Sequence, residues 1–407
     1  MRSRIYVSPS ANRKSGYPNR YFVILKKSLA EYFDVLDSDN EPYLTQGWAL
    51  LRHSFKADIF LLSFVETIAF HKLAFIQYLM VRLSFLVMRM RRGKIVFIFH
   101  NPRPHKGENW MSRSLTRLQL ERSCLVISHS CETASFARGL LSEYGRSPDK
   151  VRYICHPIVE PSVADVAGAS AVDASGEAQG ALAAGSVVSA EVGTSDEILI
   201  WGNILPYKGV LEFVSSPAVR IAGLKVRIVG RCKDSALAAD IEKAVALCNA
   251  DESAGGFVPA DSGSYESGSA CRECSKDGES LGSVIPDAVT FHRTKFVFEN
   301  RAADFDELAV LIRSSRHVLF PYLPGSVSSS GVLMDTLAMG GNPVGPAIGA
   351  FADLARENVC QVYGSEAEMI EILKSDRRIN PDTLRDFISR NSWHAYAKFF
   401  ADFFAGR

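Results

Sequence analysis

Apolar positions along this chain fall into two alternating modes: short continuous runs, and longer stretches spaced at helical period. Over the first 160 residues the runs predict strands at 4–7, 33–36, 59–63, 94–99, 124–128 and 151–154. Helical spacing predicts helices between them, for instance over 20–32 and 131–144. Strands that alternate with helices predict a parallel sheet, because parallel neighbours need a crossover and a helix usually supplies it.

The pattern stops at residue 162. Residues 162–196 are mostly Ala, Gly, Ser, Val and acid, without an aromatic residue, and no Lys or Arg occurs between Tyr153 and Tyr207. Such a segment has little apolar bulk to bury and reads as an acidic linker. A second βα series opens at Glu197, with strands expected at 198–201, 225–229, 295–298, 317–320 and 342–344. A polar loop insertion, 251–283, interrupts it. The chain closes on an aromatic helix over 393–404 with Ser392 as its cap. The expected organisation is therefore a first domain over 1–161, a linker over 162–196, a second domain over 197–391 and a terminal helix over 392–407. Two domains also suit a length of 407 residues.

Composition narrows the function classes. With 47% hydrophobic and 22% charged residues the chain can build packed cores. A formal net charge of +1 gives no basis for nucleic-acid binding. The eight cysteines follow no disulfide spacing, and Cys271 and Cys274 lack the second ligand pair of a zinc site. No metal or other cofactor is expected. Residues 1–16 lack the apolar core of a secretory signal, so a cytoplasmic setting is expected. Residues 68–88 are strongly apolar but are broken by His71, Lys72, Gln77 and Arg82, and they end in Arg89, Arg91, Arg92 and Lys94. The stretch is too interrupted to span a bilayer. Two readings stay open: a buried crossover helix, or an interfacial helix that contacts anionic membrane through 68–94.

Two stretches carry candidate chemistry. In 201–209, Trp-Gly-Asn-Ile-Leu-Pro-Tyr-Lys-Gly, a strand gives way to a helix start. Gly202 permits a tight turn, and Lys208 suits a diphosphate beside free backbone N–H groups. In 320–340 a strand, a Gly/Ser-rich loop and a helix follow one another. Ser330 and Gly331 offer a hydroxyl and amides to an anion, and Asp335 one turn on can accept from ribose hydroxyls. Two anion-binding βα loops in one domain point to a nucleoside diphosphate at the carboxyl ends of the strands. Neither Gly-x-Gly-x-x-Gly nor a Walker-type Gly-Lys-Ser/Thr is present, against a dinucleotide oxidoreductase and a P-loop NTPase.

Taken together these stretches resemble the donor domain of family-4-type glycosyltransferases of the GT-B class, in which two Rossmann-like domains face each other across a cleft. Pro343-Val344 and Gly349 fit the same pattern. His100-Asn101-Pro102-Arg103-Pro104-His105 resembles a segment of the subgroup that acts in surface polysaccharide assembly, and 124–130 and 153–157 resemble two further strands of the family. The resemblance implies an α/β GT-B fold and transfer of a hexose from a nucleoside-diphosphate sugar to a hydroxyl of a glycan or lipid-linked acceptor, without a metal. It implies donor contacts from Gly202, Asn203, Lys208, Arg231, Ser330, Gly331 and Asp335. Ser15 and Gly16 lie in the segment where the family carries an acceptor-side loop, and Glu66, just after the third strand, is a further acceptor-side candidate. His100 and His105 are read either as groups touching acceptor or donor sugar or as hydrogen-bonding residues of a Pro-rich loop. His129 is read as structural. The pattern departs from the family at Val327, where a glutamate usually stands, at Asp335, usually glutamate, and at Asn203, often arginine, for which Arg231 could compensate. The missing glutamate at Val327 motivates one rival, a non-catalytic GT-B-like partner subunit; the second rival is a sugar-nucleotide epimerase of the same architecture.

Overall fold

The computed structural model describes residues 2–10, 19–36, 45–100, 107–160, 195–250, 293–324 and 330–406. Ser15, Gly16, His105, Val327, Cys271, Cys274, the linker up to residue 194 and the loop insertion 251–283 lie outside them.

The first sheet has six parallel strands: β1 (Arg4–Ser8), β2 (Asp34–Leu36), β3 (Ile59–Leu62), β4 (Lys94–Ile98), β5 (Leu125–Ser128) and β6 (Val151–Tyr153), in the order β2-β1-β3-β4-β5-β6. The central strands β3 and β5 are buried at every position. Burial on both faces explains why they read as continuous apolar runs and not as an alternation. Helices cover the sheet: α1 (Arg20–Leu29), α2 (Gln46–Ser54), α3 (Ala74–Met90), α4 (Trp110–Arg122) and α5 (Cys131–Glu143). Their starts are fixed locally. Asn19 accepts from the Tyr21 amide to cap α1, and Ser130 accepts from the Thr133 amide to cap α5.

The second sheet also has six parallel strands: β7 (Glu197–Trp201), β8 (Lys225–Val229), β9 (Lys295–Glu299), β10 (His317–Leu319), β11 (Pro343–Pro346) and β12 (Gln361–Tyr363). Its order is β12-β11-β10-β7-β8-β9. Chain direction across the sheet reverses between β7 and β10. That reversal opens a crevice at their carboxyl ends, the place where open α/β sheets receive ligands. Ser195 and Asp196, expected to close the linker, are held by this domain: the Ser195 amide donates to Ser314 O at 2.8 Å, and Asp196 pairs with Arg316 at 2.5 Å. The helices of the second half are α6 (Val210–Ser215), α7 (Pro217–Arg220), α8 (Ser235–Ala250), α9 (Phe305–Ser314), α10 (Gly331–Ala338), α11 (Gly349–Arg356), α12 (Glu366–Lys374), α13 (Pro381–Arg390) and α14 (Trp393–Ala405).

The halves are joined by several contacts among the described residues. The terminal helix α14 returns to the first sheet, where Trp393, Tyr396, Ala397 and Phe400 complete the core around Ile5, Val96 and Leu125. The two crossing strands of chain meet where the Ile158 amide donates to Asn391 O at 2.9 Å. Elsewhere α5 and α11 meet end to end and cap each other. The Cys131 amide donates to Asp353 at 2.7 Å, and the Gly349 amide donates to Glu132 at 3.1 Å. Each carboxylate sits at the positive end of the opposite helix.

Residues 68–88 resolve into a 3-10 turn, Val65–Phe70, followed by α3, the crossover from β3 to β4. One face of α3 packs through Tyr78, Val81, Phe85 and Met88. Among the described residues no helix is long and apolar enough to cross a membrane. Arg91, grouped with Arg89 and Arg92 as a candidate lipid anchor, is engaged differently: its guanidinium donates to Ser54 O at 2.7 Å and Ala57 O at 2.8 Å.

Candidate functional site

The site forms where β7 and β10 part. β7 ends in Trp201, whose indole N–H donates to Thr336 at 2.9 Å and locks the strand against α10. The chain then turns at Gly202, φ +98°, in the left-handed region that favours glycine. A Cβ on Gly202 would stand 3.4 Å from the Val332 methyls and 3.5 Å from Lys208 Nζ. The two motifs, separated by more than a hundred residues in sequence, therefore meet side by side.

Lys208 closes a 3-10 turn, Pro206–Lys208, just ahead of α6. Gly209 follows with φ +66°, and a Cβ there would lie 2.0 Å from Pro321 O, so only glycine fits. The Leu323 amide donates to Tyr207 O at 3.0 Å and fastens the lysine turn to the segment after β10. This packing buries Lys208, and its Nζ lies 5.6 Å from the Tyr322 ring centroid. Burial alone pulls the ammonium pKa down to about 8. Among the described residues Lys208 has no ion-pair partner.

On the other wall, Ser330 caps α10 by accepting from the Leu333 amide, and Tyr322 Oη lies 3.5 Å from Ser330 Oγ. The amides of Gly331 and Val332, at the first turn of α10, have no acceptor within the helix. Asp335 is half-buried one turn further along. Its carboxyl pKa is pushed up to about 6 by burial, with Arg20 opposing the shift. Asn203 and Arg231 are exposed at the rim, where the Ile204 amide donates to Arg231 O at 3.0 Å.

Sequence reasoning missed Arg20. It leaves the start of α1, places its guanidinium 4.2 Å from the Phe305 ring centroid, and contacts Asp335 at 3.2 Å. Its Nε is buried and has no hydrogen-bond partner among the described residues. An arginine directly after a cap residue gives no sign in sequence of what it will meet across a cleft.

The first domain brings three histidines together at the carboxyl ends of β4, β5 and β6. His100 stacks on Phe64 at 4.4 Å, and its ring centroid lies 5.4 Å from that of His129, which lies 5.1 Å from that of His156. Burial holds His100 at a pKa of about 3 and His156 at about 4, and keeps His129 well below its ordinary value. A base that weak is far from the pH at which a general base works best; at neutral pH the His100 ring is neutral. His129 donates from Nδ1 to Ile154 O at 2.9 Å, and its Nε2 accepts from Tyr21 Oη at 3.1 Å, two hydrogen bonds within the first domain. His156 was not singled out from the sequence. Glu66 does not stand free: its carboxylate lies 3.5 Å from Gln119 of α4, and burial raises its pKa. Among the described residues no cluster of three or more His, Cys, Asp or Glu side chains could hold a metal ion.

No family model and no curated protein sequence matches this chain. Its fold does match solved structures along essentially the whole length. Sucrose-phosphate synthase from Thermosynechococcus elongatus aligns over 100% of both chains at 13% identity and TM-score 0.59. Anabaena HepE, solved in complex with UDP and glucose, aligns over 100% of both chains at 11% identity and TM-score 0.58. A UDP-forming α,α-trehalose-phosphate synthase from Burkholderia vietnamiensis covers 100% of this chain and 98% of its own at 10% identity and TM-score 0.54. At these identities the likeness is one of fold: two parallel α/β domains in the GT-B arrangement.

Proposed function

We propose that the protein is a glycosyltransferase that moves a hexose from a nucleoside-diphosphate sugar to a hydroxyl of a glycan or lipid-linked acceptor, in the assembly of a surface polysaccharide. The observation that carries this reading is Lys208: a buried ammonium without an ion-pair partner among the described residues, at the reversal point of the second sheet, beside the start of α10. A buried cation in that place calls for an anion. The likeness in fold to enzymes whose names speak of UDP or of sugar phosphates supports a nucleoside diphosphate as that anion.

In this reading Lys208 and the first amides of α10 hold the diphosphate, with Arg231 and Asn203 at the rim. Asp335 accepts from the ribose, which requires Arg20 to give way or to share. The bond from the sugar's anomeric carbon to the diphosphate oxygen breaks, and a bond to the acceptor oxygen forms. The acceptor's proton leaves with the departing diphosphate. Charge developing on that diphosphate falls on Lys208 and the helix amides, which stabilises the transition state without a metal. The resemblance supports retention of configuration. The first domain, with His100 as a neutral hydrogen-bonding group, receives the acceptor, and closure of the cleft excludes water.

The test is a thermal-shift screen against UDP, GDP and their sugars, followed by assay of sugar release and transfer. A bound ligand raises the melting temperature according to its concentration over Kd. Stabilisation by a nucleoside diphosphate together with acceptor-dependent turnover is expected. Absence of any shift with all of them at millimolar concentration contradicts the reading.

A further inference from the structure

We propose that the outward face of α3 is a docking surface for an anionic lipid bilayer. The helix is apolar on two opposite sides. Its inward side carries Tyr78, Val81, Phe85 and Met88. Its outward side carries Phe75, Ile76, Leu79, Leu83, Leu86 and Met90, each between 46% and 76% exposed. At 100° per residue these six fall within an arc of about 100°, and they run some 22 Å along the helix, at about 1.5 Å per residue. A contiguous exposed stripe of that size marks an interaction surface and not scattered surface apolarity.

Charge selects the partner. Lys72, Arg82, Arg89 and Arg92 are exposed on or beside α3, and no Asp or Glu occurs between Glu66 and Glu108. Arg82 and Arg89 fall within about 40° of one border of the stripe on the helical wheel. Trp110 is half exposed and packs edge-on against Tyr78 at 5.4 Å, an amphipathic ring beside the stripe. An apolar stripe bordered by cations fits acyl chains below an anionic headgroup layer. A second copy of the chain fits poorly. A two-fold contact would set the same cations of each copy against one another, with no carboxylate in that stretch to pair them. Since α3 is too short to cross, it lies on the surface and does not span it.

The experiment is co-sedimentation of the full chain with vesicles of phosphatidylcholine alone and of phosphatidylcholine mixed with phosphatidylglycerol. Binding to the mixed vesicles, absent on the neutral ones and weakened by salt, is expected. Arg89→Gln with Arg92→Gln should lower partitioning roughly thirtyfold. Leu79→Gln with Leu86→Gln should lower it at least about tenfold, with unchanged melting temperature, because both side chains are exposed. Failure of the parent protein to bind the mixed vesicles, or equal binding by parent and both variants, overturns the proposal. So does a parent dimer that the leucine variant dissociates without any lipid binding, which would assign the face to a second copy. Nucleotide binding by the same variants reads the donor site separately, so either proposal can fail alone.

Discussion

Arg20 sets a guanidinium nitrogen 3.2 Å from the Asp335 carboxylate, joining the start of α1 in the first domain to α10 in the second across 315 residues of sequence. The carboxylate proposed to receive the ribose is thus already engaged by a cation from the opposite domain. Under the proposed function, a ligand that engages Arg20 or Asp335 must rearrange this pair.

Arg20→Ala tests that link. Arg20 opposes the burial that raises the Asp335 carboxyl to about 6. Its removal should raise that value further and shift the acid limb of nucleoside binding to higher pH. The measurement is nucleoside affinity between pH 5 and 8 for parent and variant, from about one unit below the carboxyl to about two above it. An unmoved acid limb would show that Arg20 does not influence Asp335 in solution.

The pH dependence of diphosphate binding has a predictable sign at both ends. Protonation removes the charge of Asp335 and turns one of its oxygens into a donor, which weakens its hold on ribose hydroxyls, so affinity should rise as pH increases through about 6. Lys208 loses its proton above about 8 in the free protein. A bound diphosphate favours the charged form, so binding takes up a proton there and affinity should fall as pH rises through about 8. A nucleoside without phosphate should show the acid limb alone. Calorimetric titration of both ligands across this range checks the pattern.

Gly209 is the most constrained position of the site. With φ +66° and a Cβ placed 2.0 Å from Pro321 O, Gly209→Ala must displace either the lysine turn or the segment after β10. It should cost at least about 2 kcal/mol of stability, from the left-handed backbone plus the clash. Denaturant midpoints measure it. Gly331→Ala, with nothing within 4 Å of its Cβ, is the matched control and should stay within about 1 kcal/mol.

The reciprocal caps at α5 and α11 predict how the halves unfold. Glu132→Ala with Asp353→Ala removes both carboxylates, so that the Cys131 and Gly349 amides each lose a charged acceptor between the halves, at about 1 kcal/mol each. Scanning calorimetry should show a lower first transition and clearer separation of the two domains. A single unchanged transition would show that α14, and not the caps, couples them.

Local features of the fold were readable in the chain. The central strands lie buried on both faces, so their apolar runs stand out, and Ser392 announces α14. The strand β12 (Gln361–Tyr363) was not readable, because three residues beginning with glutamine carry no run and no alternation. Strand order was not readable either, since the reversal between β7 and β10 is set by pairings distant in sequence. At the candidate site, the turn at Gly202, the helix-start position of Lys208 and the cap at Ser330 were readable, because tight turns and helix starts demand particular residue types. Arg20 and His156 could not, because their neighbours come from other elements and leave no spacing signal. The outward stripe of α3 was visible as apolarity, but only packing distinguishes the side that is covered from the side that is not.

The most direct test of the donor site is a crossed titration of two variants against two ligands. Lys208→Ala should weaken binding of the nucleoside diphosphate about tenfold or more and leave the free nucleoside almost unchanged, since a charge-assisted contact is worth roughly 1.5–3 kcal/mol. Asp335→Ala should weaken both ligands alike, because the ribose is common to them. Unchanged diphosphate affinity in both folded variants would contradict the assignment of the donor site, and with it the proposed glycosyl transfer.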